Sequence, residues 1–217
     1  MKSGSLWSPS FLEKNLQDQM NAFVYVVEST SSSDLLAGRS EGRALGESLT
    51  LAQIPNSYSF AADESTFREC LTNRLWQTAK ALGGKGPVIH LSVHGDQEGI
   101  GLTDGSFIPW RDLRALLEPV SRRLGGYLLV CLSSCWGAAG CKMAMEMSDK
   151  PFSILVGPID NVPWNDAAVA YISFYHHLFK GYDVVQSVNA MRVASANDNF
   201  MAFSGELIAS EWRKAVS

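Results

Sequence analysis

The chain has 217 residues, of which 46% are hydrophobic and 18% are charged. This composition is typical of a folded domain with one sizeable core and excludes an intrinsically disordered chain. The net charge of −4 at pH 7 comes without a basic stripe, which argues against nucleic acid as a direct partner. No stretch approaches the roughly 18 apolar residues that a membrane span needs, so no membrane contact is expected.

The start of the chain and the cysteines bear on where the protein works. Residues Met1 to Lys14 lack the apolar core of a secretory signal. Three of the four cysteines fall within residues 131–141, whereas a secreted disulfide framework would spread them along the chain. We therefore expect reduced thiols and a cytoplasmic location. No linker divides the chain, so we predict a single domain over residues 1–217, with residues 1–21 as an N-terminal helical extension.

Short apolar runs alternate with segments of helical periodicity. The runs are bounded by Gly and Pro, which favours buried parallel strands. The predicted strands are Ala22 to Val27, Ser57 to Ala61, Val88 to Val93, Tyr127 to Leu132 and Phe152 to Val156. Apolar residues recur at helical spacing over residues 67–82, 113–124 and 171–178. This alternation predicts an α/β fold of three layers, with a mostly parallel central sheet and helices on both faces.

Two segments interrupt this alternation. Ser29 to Asp34, with the sequence STSSSD, is typical of a loop whose end, Ser33 or Asp34, caps the following helix. Gly99 to Trp110 contains two short apolar stretches around an Asp-Gly pair, which predicts a β-hairpin.

Two reactive side chains follow consecutive strands. His94 comes directly after the strand Val88 to Val93, and Cys135 follows the strand Tyr127 to Leu132 at the start of a predicted helix. The connection between these strands contains a helix, which favours a parallel, adjacent arrangement. Open α/β sheets build their sites at the carboxyl ends of the strands. His94 and Cys135 are therefore expected to meet at one edge of the sheet.

This pair suits nucleophilic catalysis. The thiolate is the nucleophilic form of cysteine, and a helix N-terminus or a nearby imidazole favours it. The imidazole of His94 can take the thiol proton and later return it to a leaving amine. Gly95 has no side chain, so its backbone N–H can approach a substrate and, with the N–H of Cys135, stabilise an oxyanion. Taken singly, each residue has a structural alternative: a histidine at a strand end, or a cysteine packed as a small apolar side chain.

The same stretches resemble the caspase-like fold of cysteine peptidases. HLSVHGD carries a strand-His-Gly signature, and SSCWG lines up with the Q-A-C-x-G pentapeptide of caspases, departing at its first two positions and at the residue after the cysteine. LSSC after an apolar strand is more similar to the bacterial CHAT branch of this group. From Asp166 to Val184 the pattern DA…FY..L..G..V is similar to one in CHAT domains. The resemblance extends over residues 22–196.

The resemblance implies a three-layer caspase-like fold and hydrolysis of peptide bonds in protein substrates through a thioester acyl-enzyme. It implies no metal or organic cofactor, and it implies an oxyanion hole formed by Gly95 and Cys135. A third catalytic group is not a fixed feature of such enzymes. CHAT-type peptidases often act in bacterial defence with a partner that gates them, so the resemblance also implies a regulatory protein partner.

The sequence does not decide whether the substrate pocket is charged or apolar. The loop GPIDNVPWND lies in the region that, in caspase-like enzymes, commonly borders the pocket for the residue before the cleaved bond. Asp160 or Asp166 can face a basic side chain there, although Asp166 can equally cap the helix that it precedes. Trp136, Trp164 and Trp110 can instead wall an apolar pocket.

Other interpretations are weaker. His90 and His94 point to the same face of their strand, but no partner with metal-ligand spacing lies nearby in the sequence. The segment GIGLTDG lacks the helix that a nucleotide-binding glycine motif requires. Two functional alternatives remain: an inactive caspase-like scaffold that binds partners, and a flavodoxin-like module that binds a small ligand.

Overall fold

A computed structural model describes residues 21–146 and 149–216 of the chain. In this part, eight strands form one sheet whose main path runs β2-β1-β3-β6-β7-β8, with the hairpin β4–β5 attached to β3. The strands are β1 (Ala22–Ser29), β2 (Asn56–Phe60), β3 (Gly86–Gly95), β4 (Gly99–Gly101), β5 (Phe107–Pro109), β6 (Leu129–Ser133), β7 (Ile154–Pro158) and β8 (Phe200–Ser204). The strands from β2 to β7 along this path pair in parallel, and β8 pairs antiparallel with β7.

Helices connect the strands. They are α1 (Ser32–Leu36), α2 (Glu41–Leu51), α3 (Glu64–Glu69), α4 (Leu75–Ala81), α5 (Trp110–Arg123), α6 (Trp164–Leu178), α7 (Val184–Ser195) and α8 (Gly205–Val216). A π-helical turn, Cys70–Arg74, joins α3 to α4, and a 3-10 helix, Gly137–Ala144, follows β6. Among the described residues, no helix is both long enough and apolar enough to cross a membrane.

Two hydrophobic cores, one on each face of the sheet, hold the layers together. On one face, Phe67, Leu75 and Leu117 are fully buried together with residues of the 3-10 helix. On the other face, Leu45 of α2 packs with the aromatic side chains of α6 and with Met191 of α7. Burial of such side chains stabilises the fold by about 1.5–3 kcal/mol each. The predicted three-layer α/β architecture with a mostly parallel sheet and an inserted hairpin is confirmed.

Outside the candidate site, the structure differs from the sequence predictions at one strand and at one helix cap. Strand β8 was not predicted, because its sequence FMAFS has no clean alternation of apolar and polar residues. The cap of α1 is neither Ser33 nor Asp34 but Ser31, whose extended backbone lets its hydroxyl accept a hydrogen bond from the N–H of Asp34. The predicted N-terminal extension, residues 1–21, lies outside the described residues except for Asn21.

Candidate active site

The two reactive side chains predicted from the sequence lie in one open cleft at the carboxyl edge of the sheet. Strands β3 and β6 are parallel neighbours, and their last paired residues are Ser92 and Ser133. His94 and Cys135 each follow two residues later, and both line the cleft. The cleft has an empty volume of about 420 Å³ and is open to solvent. His94 and Cys135 therefore lie at the same edge of the sheet and line one cleft.

Gly95 is packed directly against the chain at Cys135. A Cβ atom at Gly95 would lie 2.9 Å from the carbonyl oxygen of Cys135 and 3.0 Å from the hydroxyl oxygen of Ser134. Any side chain at this position would push the end of β3 away from the end of β6. Glycine therefore brings the two strand ends into contact.

The register of the hairpin shows where the Gly95 amide points. Gly95 pairs with Ile100 in the antiparallel β3–β4 ladder. The neighbouring pair, Asp96 and Gly99, is hydrogen-bonded, because the N–H of Asp96 donates to the carbonyl of Gly99 at 3.1 Å. Hydrogen-bonded and non-hydrogen-bonded pairs alternate in such a ladder, so the N–H of Gly95 faces away from β4. That direction is the Cys135 side of β3.

Cys135 lies on a sharp turn and not at the start of a helix, so the sequence prediction of a helix beginning there was wrong. Trp136 has a left-handed backbone with φ of 56°, and the 3-10 helix begins only at Gly137. A Cβ atom at Gly137 would lie 2.7 Å from the carbonyl oxygen of Leu132, so the turn needs glycine. The left-handed residue breaks the helix before it reaches Cys135, and the side chain of Cys135 is left half-buried at the turn.

A carboxylate that sequence analysis did not assign to the site holds the imidazole. Nε2 of His94 lies 2.8 Å from Oδ2 of Asp34, a residue of α1 that is 60 positions earlier in the chain. The side chain of Asp34 is only 8% exposed, whereas that of His94 is 45% exposed. In the sequence, the stretch STSSSD indicates only that Asp34 could cap a helix. Its contact with His94 could be found only from the fold.

Asp34 is held in place and ionised by its other neighbours. The Ser31 hydroxyl donates to Oδ2 at 2.6 Å, and Nε of Arg39 donates to Oδ1 at 2.8 Å. The Ser31 hydrogen bond is the largest influence that lowers the pKa of Asp34 to about 2, with those of Arg39 and His94 adding to it against the opposing effect of burial. A carboxylate at Nε2 favours the tautomer in which Nε2 carries the proton. The other ring nitrogen, Nδ1, is then the one available as a base.

The three tryptophans predicted for the pocket have different surroundings in the structure. Trp164 lines the cleft, and its ring meets the His94 ring edge-on with centroids 5.4 Å apart. Trp136 is half-buried in the turn after Cys135 and is not among the residues that line the cleft. Trp110 is 4% exposed in the core, where its indole N–H donates to the carbonyl of Gln97, so it does not wall a pocket.

The two aspartates proposed for substrate binding do not line the cleft. Asp160 is exposed, and its side chain accepts a hydrogen bond from the N–H of Asn161. Asp166 lies in the first turn of α6, where its carboxylate accepts hydrogen bonds from the side-chain amides of Asn165 and Asn197. Asp166 does not cap the helix either, because the N-cap position is Pro163.

The remaining candidates belong to the interior. His90 is fully buried, with Nδ1 3.0 Å from the hydroxyl of Tyr175. Burial raises the pKa of both Cys131 and Cys141 to about 12, and it also raises that of Cys70. Cys135 is therefore the thiol that the cleft presents. Within residues 21–146 and 149–216, no group of three or more His, Cys, Asp or Glu side chains is arranged to hold a metal ion.

Comparison with solved structures gives distant likenesses. No protein-family model and no curated protein matches the chain. Among solved structures, the chain is similar to the complex of Porphyromonas gingivalis RgpB pro- and mature domains, with a TM-score of 0.49 and 11% sequence identity. The match covers 87% of this chain and 48% of that one, so this chain spans about half its length.

Proposed function

We propose that the chain is a cysteine endopeptidase of the caspase-like group that cleaves protein substrates through Cys135 and His94. The observation that carries this proposal is a single cleft that holds a free thiol and an imidazole oriented by a buried carboxylate. A glycine that packs directly against Ser134 and Cys135 adds a backbone amide beside them. These are the nucleophile, the general base with its orienting group, and the oxyanion donor of acyl transfer.

The reaction follows from these positions. Nδ1 of His94 takes the proton from Cys135, and the sulfur attacks the carbonyl carbon of the substrate, forming a C–S bond. The tetrahedral intermediate collapses with cleavage of the C–N bond, and the imidazolium returns its proton to the leaving amine. Water then loses a proton to Nδ1 and attacks the thioester, which releases the carboxylic acid and restores the thiol. Throughout, Asp34 keeps the imidazole in one orientation and stabilises its charged form.

The oxyanion is stabilised by backbone amides. The N–H of Gly95 and the N–H of Cys135 are proposed as the two donors to the developing negative charge. A donor of this kind typically contributes about 10²–10³ in rate. Tight packing between Gly95 and the Ser134–Cys135 segment fixes the position of the first donor relative to the nucleophile.

Finer statements rest on the sequence resemblance. The LSSC stretch and the pattern from Asp166 to Val184 favour the CHAT branch, and with it an antiviral or other defence pathway in bacteria and a regulatory protein partner. A cytoplasmic setting fits the mechanism, because Cys135 must stay reduced to act as a nucleophile.

The test is digestion of a peptide library by the purified protein. We expect a defined set of cleavages that is lost in Cys135→Ala and kept in Cys141→Ala, a control that removes a neighbouring thiol outside the cleft. Iodoacetamide at neutral pH should label Cys135 selectively, and labelling should slow in His94→Ala. An inactive scaffold would show neither cleavage nor His94-dependent labelling. A flavodoxin-like module would instead retain a small ligand in native mass spectra, with no dependence on Cys135.

A further inference from the structure

A recess beside Cys135 offers a place for one substrate side chain. It continues the cleft between the end of β6, the loop after β7 and the first turns of α6. Its walls are apolar and aromatic, and they are formed by Pro158, Val162, Trp164, Ala167, Tyr171 and Phe200. The hydroxyl of Tyr171 is already engaged, because it donates to the carbonyl of Leu132 at 2.8 Å. Tyr171 is fully buried at the floor of the recess, so its hydroxyl is not offered to a ligand.

The polar groups at this recess are neutral. Ser133 and Ser134 both line it, and their hydroxyl oxygens are buried without a hydrogen-bond partner in the described chain. A hydroxyl can donate or accept, so these groups tolerate a weakly polar tip but cannot neutralise a charge. Apart from His94 and Cys135, the residues that line the cleft include no ionisable side chain other than the tyrosine.

We propose that the residue before the cleaved bond is an uncharged side chain with an apolar stem, of the size of leucine or methionine. This inference rests on the proposed peptidase function and assigns its substrate class. Burying a cationic or anionic side chain against apolar walls is unfavourable without an opposite charge. Asp160 and Asp166, which could have supplied one for a basic substrate, lie outside the recess. An apolar side chain is instead stabilised by the area that it removes from water.

One buried carboxylate near the recess would favour the opposite outcome, a preference for a cationic substrate side chain. Glu41, which is not among the residues that line the recess, has a 2% exposed side chain 3.7 Å from Nε2 of His90. Its carboxylate oxygens have no hydrogen-bond partner among the described residues. A long cationic side chain that reached past Tyr171 to this carboxylate would reverse the expected preference. The experiment therefore includes Glu41→Gln.

The test uses fluorogenic peptides that differ only in the residue before the cleaved bond. We expect kcat/KM for leucine and methionine to exceed that for lysine, arginine, aspartate and glutamate by about 10²-fold. Ala167→Leu should fill the recess and lower kcat/KM for the leucine and methionine peptides by about tenfold, with a smaller effect on an alanine peptide. Ala168→Leu is the matched control, because Ala168 is the next residue of α6 but does not line the recess.

A second variant keeps the test independent of helix packing. Val162→Phe changes the recess from the loop before α6 and should act in the same direction as Ala167→Leu. A preference for lysine or arginine that disappears in Glu41→Gln would overturn the inference and leave the peptidase function standing, as would a preference for acidic residues. Absence of cleavage of every peptide, together with labelling of Cys135 that does not depend on His94, would overturn both.

Discussion

Strand β3 carries two histidines on the same face of the sheet, and they have different surroundings. His94 lies at the carboxyl end of the strand, 45% exposed, with Nε2 bonded to the ionised Asp34. His90 lies four residues earlier on the strand, fully buried against Tyr171 and Tyr175, with Glu41 at 3.7 Å. Both have an acidic neighbour and an aromatic neighbour, but only His94 reaches a cleft that contains a thiol.

This difference teaches that position along the strand separates an accessible histidine from a buried one. The side chains at residues 90 and 94 share the period-2 face, so the strand pattern alone treats them alike. The sheet edge leaves His94 open to a substrate, while the packing of α2 and α6 closes over His90. The following predictions test this contrast.

The largest effect is expected for His94→Ala. Loss of the general base should lower kcat/KM by about 10³-fold, within the usual range for acid–base catalysis. The imidazole is 45% exposed, so the free energy of unfolding should change much less than the rate. Peptide cleavage and urea unfolding measure the two quantities.

His90→Phe is the matched comparison on the same strand. It should leave kcat/KM within a few-fold of wild type, but lower the free energy of unfolding by about 1–3 kcal/mol, because Tyr175 and Glu41 lose a buried polar neighbour. Equal loss of activity in the two variants, at full folding, would contradict the contrast between the two histidines.

Asp34→Asn should lower kcat/KM by about 10²-fold. An asparagine amide can donate to Nε2 of His94, which favours the tautomer with the proton on Nδ1, and this tautomer cannot act as the base. Because Asp34 positions the histidine and does not touch substrate, the loss should fall on kcat with KM little changed. Steady-state kinetics separate the two.

The control for Asp34→Asn is Asp63→Asn. Asp63 likewise accepts hydrogen bonds that lower its pKa, but they come from the first turn of α3, which it caps, and not from a histidine. A rise in KM alone in Asp34→Asn would show that the carboxylate acts on substrate binding and not on the imidazole.

Gly95→Ala should lower the free energy of unfolding by about 1–3 kcal/mol and reduce the rate as well. The added Cβ meets the carbonyl oxygen of Cys135 at 2.9 Å, so the two strand ends must separate and the oxyanion donor moves. Gly86→Ala, at the other end of the same strand, places its Cβ 3.9 Å from the nearest atom, the carbonyl oxygen of Asn21, and should be nearly neutral. Thermal unfolding and peptide cleavage test both variants.

The smallest effect concerns acid stability. The folded-state pKa of Asp34, about 2, lies below its ordinary value of 3.8, so its contribution is fully present above pH 4 and is lost as the pH falls through 2. Asp34 thereby contributes about 2 kcal/mol to the free energy of unfolding at neutral pH.

Ser31→Ala removes the hydrogen bond that lowers the pKa of Asp34 most, and it also removes the cap of α1. It should lower the free energy of unfolding by about 1 kcal/mol at pH 7. Unfolding in urea at pH 7 and pH 3 tests this, with Ser48→Ala on α2 as the control.

Much of the fold and the reactive pair could be predicted from the sequence. Apolar runs bounded by Gly and Pro identify the parallel strands, and a helical connection between consecutive strands makes them neighbours. Both signals are local or topological, so they place His94 and Cys135 at the same edge without any coordinates. The glycine at residue 95 was identified by the same reasoning.

The tertiary structure decided which groups complete the site. Asp34 reaches His94 across 60 residues, Trp110 turns into the core while Trp164 lines the cleft, and Asp166 bonds to asparagines. Such outcomes depend on which side chain fits which gap between packed layers, and a one-dimensional pattern does not contain that information. The sequence by itself thus determined the parallel strands and the two candidate residues at their ends, while long-range packing selected the carboxylate and the walls around them.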